Sequence, residues 1–168
     1  MKSLSKWRCC EVETMCGRSL KEGVMFVGLS SLLISVVLLV SSVGFLLSIT
    51  RSDSLYNTQP MVAVNFIFTL VASCLSLYQI VISVLLVWQA RQIKGNIFLC
   101  SLWYVSHLSL LTIYCLLFSS KIVVYCLKKH YFAAAITIVI GIFYEVTFIY
   151  FAIVVNSYLH SLNQERYL

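Results

Sequence analysis

The sequence predicts an all-α integral membrane protein, an antiparallel bundle of four transmembrane helices, and three observations carry that prediction. Only 11% of the 168 residues are charged, against about 25% in soluble domains, and 61% are hydrophobic. The apolar residues gather into four runs, each longer than the roughly 20 residues needed to cross a hydrocarbon layer of about 30 Å. Short connections between the runs force neighbouring spans to be antiparallel.

The runs cover residues 24–49, 61–88, 97–120 and 133–158, which together hold 104 of the 168 residues. Tails of 23 and 10 residues (1–23 and 159–168) and loops of 11, 8 and 12 residues leave no room for a second domain, so residues 1–168 read as one four-span unit. The first run is twice the length of a signal-peptide core and follows a long polar tail, so it reads as a retained span. None of the runs alternates polar and apolar residues at period two, as the strands of a membrane barrel do.

Lysine and arginine in short connections tend to stay on the cytoplasmic side. Placing both tails inside puts Lys2, Lys6, Arg8, Arg18, Lys21, Arg91, Lys94 and Arg166 in the cytoplasm and Arg51, Lys121, Lys128 and Lys129 opposite. Eight against four favours cytoplasmic termini. The net charge of +6 is mostly this topology signal; it suits an anionic leaflet and makes no case for nucleic acid.

The seven cysteines give no disulfide framework. Cys74, Cys100 and Cys115 fall within spans, Cys126 stands alone in the third loop, and Cys9, Cys10 and Cys16 lie in the tail assigned to the reducing cytosol. That tail offers three thiols and no histidine, short of a zinc site. Cys9 and Cys10, with Trp7 and Arg8 beside them, are candidates for S-palmitoylation, with unmodified thiols the alternative.

The span interiors are more informative. Span 2 carries Asn65, Thr69, Ala72, Ser76, Gln79 and Ser83 at spacings of 4, 3, 4, 3 and 4, which place them on one helix face. Small side chains on such a face let membrane helices approach, and polar ones bond across. Looser stripes run through Gly28, Ser31, Ser35 and Ser42 of span 1 and through Ala134, Thr137, Gly141, Glu145, Phe148, Ala152 and Asn156 of span 4. A compact left-handed bundle with a partly polar interior is expected.

Three side chains in that interior invite a site. At 1.5 Å per residue, Gln79, His107 and Glu145 lie roughly 14, 15 and 20 Å from the cytoplasmic ends of their spans, close enough in depth to meet. An ionised carboxylate at that depth costs several kcal/mol, so Glu145 is expected to face the bundle, paired with His107 or neutral and hydrogen-bonded to Gln79 or a hydroxyl. A small proton- or ion-coupled transporter, or an oligomeric channel, would use Glu145 and His107. Transporters generally show repeats, broken helices or several ionisable groups along a path, which this chain does not offer. His107, His130 and His160 fall in three different regions, and no nucleophile with a base, phosphate loop, metal cluster or cofactor motif is visible, so no enzymatic activity is expected.

Trp88, Tyr131, Phe132 and Tyr158 stand at span ends where interfacial anchors are expected, and Trp103 and Tyr104 of span 3 are read as facing lipid. There is no Asn-x-Ser/Thr sequon, because Asn57-Thr58-Gln59 fails at its third position.

The Cys9-Cys10 tail, the segment Cys16-Gly17-Arg18-Ser19-Leu20, Gly23 ahead of a span containing Gly28, and Asn156-Ser157-Tyr158-Leu159-His160-Ser161-Leu162 with Glu165 at the close of span 4 resemble the insect four-span membrane proteins grouped as a domain of unknown function. Those proteins are in turn similar to lysosome-associated four-span and MARVEL-type proteins. The resemblance implies a scaffold, junction or trafficking factor at the plasma membrane or an endolysosomal membrane, with membrane proteins, further copies of itself and lipid as partners. The chain departs from the lysosomal relatives in lacking Pro-Pro-x-Tyr motifs, and its short loops exclude tetraspanin and claudin architectures.

Overall fold

The computed structural model describes residues 19–51, 60–92 and 96–165. Cys9 and Cys10 lie outside them. Four helices account for nearly all of it: α1 (Leu20–Arg51), α2 (Pro60–Arg91), α3 (Ile97–Leu127) and α4 (Tyr131–Glu165). All four are long and apolar enough to cross a membrane.

Each helix contains one apolar run and continues past it, at both ends in α1, α2 and α4 and at the C-terminal end in α3. At 1.5 Å per residue the 31 to 35 residues reach about 46–53 Å, well beyond the hydrocarbon thickness. Local chemistry sets the ends. Ser19 Oγ accepts the Glu22 N–H at 3.4 Å at the start of α1, Pro60 opens α2 where its missing N–H costs nothing, and Asn96 Oδ1 accepts the Phe98 N–H at 3.1 Å to cap α3. The expected 12-residue third loop shrinks to three residues. Helix α3 runs through Lys121 to Leu127, and a Schellman turn follows: His130 N–H donates to the Tyr125 carbonyl, Lys129 N–H to that of Cys126, and Lys129 takes φ 60°.

The helices pack in a ring in which each touches its chain neighbours and α1 touches α4, while the diagonal pairs stay apart. Their directions follow from the contacts. Ser31 and Lys21 of α1 meet Gln79 and Gln92, Ser76 and Asn65 of α2 meet Tyr114 and Tyr125, and His107 and Phe118 of α3 meet Phe148 and Gly141. In each pair the numbering runs opposite ways, so the bundle is antiparallel. The tightest pairs, α1 with α2 and α3 with α4, each close over a glycine. A Cβ on Gly28 would stand 2.7 Å from Val87 Cγ2, and one on Gly141 would stand 3.3 Å from Phe118 Cγ.

The core is not centred. Its buried residues are Val24 and Val27 of α1, Ile82, Leu86 and Ala90 of α2, Cys100, Trp103 and Leu110 of α3, and Phe148, Phe151, Val154, Val155 and Tyr158 of α4. They run from the middle of the bundle (Leu110, Phe148) toward the end that carries both chain termini, the terminal end, while Ile49, Tyr125 and Ala134 are buried apart from them toward the distal end. Toward the distal end the outer faces are broad and apolar, with Val40, Leu47, Leu116, Val139 and Phe143 exposed.

Candidate functional site

The polar stripe of α2 faces inward along its length and sinks deeper toward the terminal end. Asn65, Thr69 and Ala72 are half-buried, whereas Ser76, Gln79 and Ser83 are buried, and Leu86 and Ala90 continue the same heptad spacing. The α1 stripe does likewise through Gly28, Ser31 and Ser35. That of α4 holds through Ala152 but not at Asn156, which is exposed. A period of 3.6 residues carries the buried face to Val155 instead.

Where the stripes meet, one amide joins three helices directly. Gln79 Nε2 lies 2.7 Å from Ser31 Oγ of α1 and 3.3 Å from His107 Nδ1 of α3. His107 Nε2 lies 3.2 Å from the carbonyl oxygen of Phe148 on α4. A carbonyl only accepts, so Nε2 carries the imidazole proton, and Nδ1 accepts the second Gln79 amide hydrogen. Ser31–Gln79–His107–Phe148 is therefore a hydrogen-bonded chain touching all four helices. Ser35 Oγ, donating to the Ser31 carbonyl at 2.8 Å, extends it along α1.

Aromatic rings pack around this chain. Trp103 stacks on His107 with centroids 4.3 Å apart and planes 10° apart, and Phe148 lies 5.2 Å from the imidazole on another side. From Phe148 the contacts continue through Tyr144 to Tyr114 and Phe118 along the α3–α4 seam. Trp103 is thus an interior residue, not the lipid-facing one expected, and Tyr158 is buried where an interfacial anchor was expected. The reason is register. Trp103 is one turn from His107 on the same face of α3, and Tyr158 is one turn past Val154 and Val155 on the buried face of α4. Trp88, Tyr131 and Phe132 point outward, as anchors do.

Of the two arrangements open to Glu145, the contact with His107 is not formed, because Gln79 and the Phe148 carbonyl occupy the two imidazole nitrogens. Glu145 is half-buried beside Tyr144, and its Oε1 is shielded without a hydrogen-bond partner. It also misses Gln79, whose Nε2 is taken by Ser31 and His107 and whose Oε1 has no partner. Ser76 and Asn65 do bond across helices. Ser76 Oγ lies 3.4 Å from Tyr114 Oη, and Asn65 Oδ1 accepts the Tyr125 hydroxyl at 2.8 Å.

Several buried groups escape a reading of side-chain patterns. The Phe148 partner is a backbone carbonyl, for which no residue type gives a signal. Gln89 is wholly buried with neither amide atom bonded, and Trp103 Nε1 and Ser83 Oγ are likewise shielded and unpartnered. Cys100 is buried, and Cys74, Cys115 and Cys126 are exposed free thiols, with Cys126 in the last turn of α3 and not in a loop. Among the described residues no group of three His, Cys, Asp or Glu side chains gathers as metal ligands would. Compared with known protein families, with curated proteins and with solved structures, the chain matches none.

Proposed function

We propose that the protein is a non-enzymatic multi-pass membrane scaffold, junction or trafficking factor that acts through contacts with membrane proteins, with copies of itself or with lipid. Both termini face the cytoplasm in this reading, at the plasma membrane or an endolysosomal membrane. The observation that carries it is how the interior polarity is used. Ser31, Gln79 and His107 bond to one another and to the Phe148 carbonyl across all four helices, so they act as interhelical ties. The surface left for partners is the long apolar exterior, which is what helix-to-helix or lipid contact requires.

The test is photo-crosslinking from exposed positions such as Leu116 and Phe143 in native membranes. Discrete crosslinked membrane proteins or a discrete homo-oligomer support the reading. A second reading, transport or channel activity, draws on the unpartnered Glu145 Oε1 near the middle of α4. Proton or ion flux through reconstituted vesicles, lost in Glu145→Gln, would replace the scaffold reading with that one.

A further inference from the structure

The looser seam between α2 and α3 is pinned at two heights. Ser76 meets Tyr114 nearer the middle, and Tyr125 donates to Asn65 nearer the distal end. Between these bonds lies a cleft of about 180 Å³, with Phe68, Thr69 and Ala72 on one wall, Tyr114, Leu117 and Phe118 on the other, and Ser42 of α1 and Lys121 completing it. A dry cavity of about 150 Å³ is known to hold a benzene ring, so this cleft accepts a short run of chain and not a whole lipid.

Its chemistry is divided by depth. Lys121 is nine residues from the middle of α3, which at 1.5 Å per residue puts it about 14 Å out, at the edge of a hydrocarbon layer about 30 Å thick. Its ammonium lies 5.6 Å from the centre of the Tyr125 ring, and among the described residues no carboxylate pairs with it. Below it the cleft is mostly apolar, and two of its three hydroxyls are already engaged. Thr69 Oγ1 donates to the Asn65 carbonyl at 2.7 Å, and Tyr114 Oη meets Ser76. Among the described residues the distal end is basic, with Arg51, Lys121, Lys128 and Lys129. An anion at headgroup depth carrying an apolar tail that reaches inward matches this division, and in a bilayer such a molecule is a lipid.

We propose that the α2–α3 cleft is a binding site for an anionic phospholipid, whose phosphate sits on the Lys121 ammonium while part of one acyl chain enters between Phe68, Leu117 and Phe118. The apolar walls supply affinity for any chain. Lys121 supplies the preference for a net negative head.

Native mass spectrometry of the full chain released from nanodiscs of mixed phosphatidylglycerol and phosphatidylcholine tests this. The wild type retains phosphatidylglycerol with about fivefold preference, the ratio that corresponds to ~1 kcal/mol for one basic residue near an anionic surface. Lys121→Gln removes the preference, Lys121→Arg keeps it, and Lys128→Gln with Lys129→Gln leaves it unchanged. Ala72→Leu, which narrows the cleft without touching the charge, lowers retention of both lipids. The proposal is overturned if the Lys128 and Lys129 changes remove the preference while Lys121→Gln does not, since diffuse surface charge would then explain it. It is equally overturned if Ala72→Leu leaves retention intact, or if inorganic phosphate displaces the lipid, because the cleft would then contribute nothing.

Discussion

The two ends of the bundle are built from the same kinds of residue but packed to opposite effect. At the terminal end Gly28 lets α1 approach α2 closely, Ser31 bonds across to Gln79, and Trp103, His107 and Gln79 fill the space between the helices. At the distal end α1 turns Val36, Val37, Val40, Val43 and Leu47 outward, and only Ile49 among its last residues is buried. There the α2–α3 seam is held by single bonds such as Tyr125 to Asn65, with a cleft left between, while α3 and α4 stay closed over Gly141. The difference teaches that in lipid, where apolar surface gains little by leaving its surroundings, small residues and cross-helix hydrogen bonds decide where a bundle closes.

The largest effect that sharpens this contrast is at Trp103. Truncating it to alanine is expected to cost about 3–5 kcal/mol, because it empties the space over His107. Phe132→Ala, at the 81% exposed start of α4, is expected to stay within ~0.5 kcal/mol. Unfolding in detergent followed by circular dichroism measures both. Similar losses would mean that the terminal end is no more closed than the distal one.

Two glycines on α1 should answer with opposite signs. Gly28→Ala drives a methyl into Val87 Cγ2, whose β-branched side chain has little rotamer freedom in a helix, and about 1–3 kcal/mol of overpacking strain is expected. Gly44→Ala meets open space and is expected to stabilise α1 by about 0.5–1 kcal/mol through helix propensity alone. Adding Val87→Ala should recover part of the Gly28→Ala loss, and if it recovers none the close approach of α1 to α2 is wrong.

Much of the terminal end was legible in the sequence. The 4-3-4-3-4 spacing from Asn65 to Ser83 named the inward face of α2, and Gly28 and Gly141 were marked as interface positions, because side-chain size and polarity repeat along a helix with its own period. Depth counting brought Gln79 and His107 to the same level, where they are bonded. What stayed hidden depended on rotation about α3 and α4, whose stripes are weak. Trp103 and Tyr158 look like interfacial residues until the register of their helices is fixed. The third loop was overestimated because hydropathy drops at Lys121, although the aliphatic stem of lysine and the following Ile122-Val123-Val124 keep α3 helical. Glu145 was matched to His107 on depth alone, and depth does not fix the direction in which a side chain points.

Smaller effects compare the polar ties of the two ends. Gln79→Ala removes both donors that reach Ser31 and His107, with an expected loss of about 1–2 kcal/mol, whereas Asn65→Ala removes one half-buried acceptor and is expected to cost about 0.6 kcal/mol. Thermal unfolding in one detergent ranks the two. If Asn65→Ala costs more, the distal seam carries more of the fold than its open cleft suggests.

The smallest expected effect is at Glu145, three residues from the middle of α4, where the closed and open halves meet. Its Oε1 has no partner, and both His107 nitrogens are engaged elsewhere, so nothing in the bundle holds the carboxyl by a bond to the imidazole. Glu145→Gln is expected to change stability by no more than ~0.5 kcal/mol. His107→Ala is expected to cost about 1–3 kcal/mol, because Gln79 and the Phe148 carbonyl each lose a buried partner. Combining them should give additive losses within ~0.5 kcal/mol, as for groups that share no partner. Coupling above about 1 kcal/mol would instead place Glu145 in the same polar network as His107, extending the ties of the terminal end across the middle of the membrane. The distal half would then be held to the terminal half by a charge, and its openness would follow the protonation of one carboxyl instead of the size of the residues that line it.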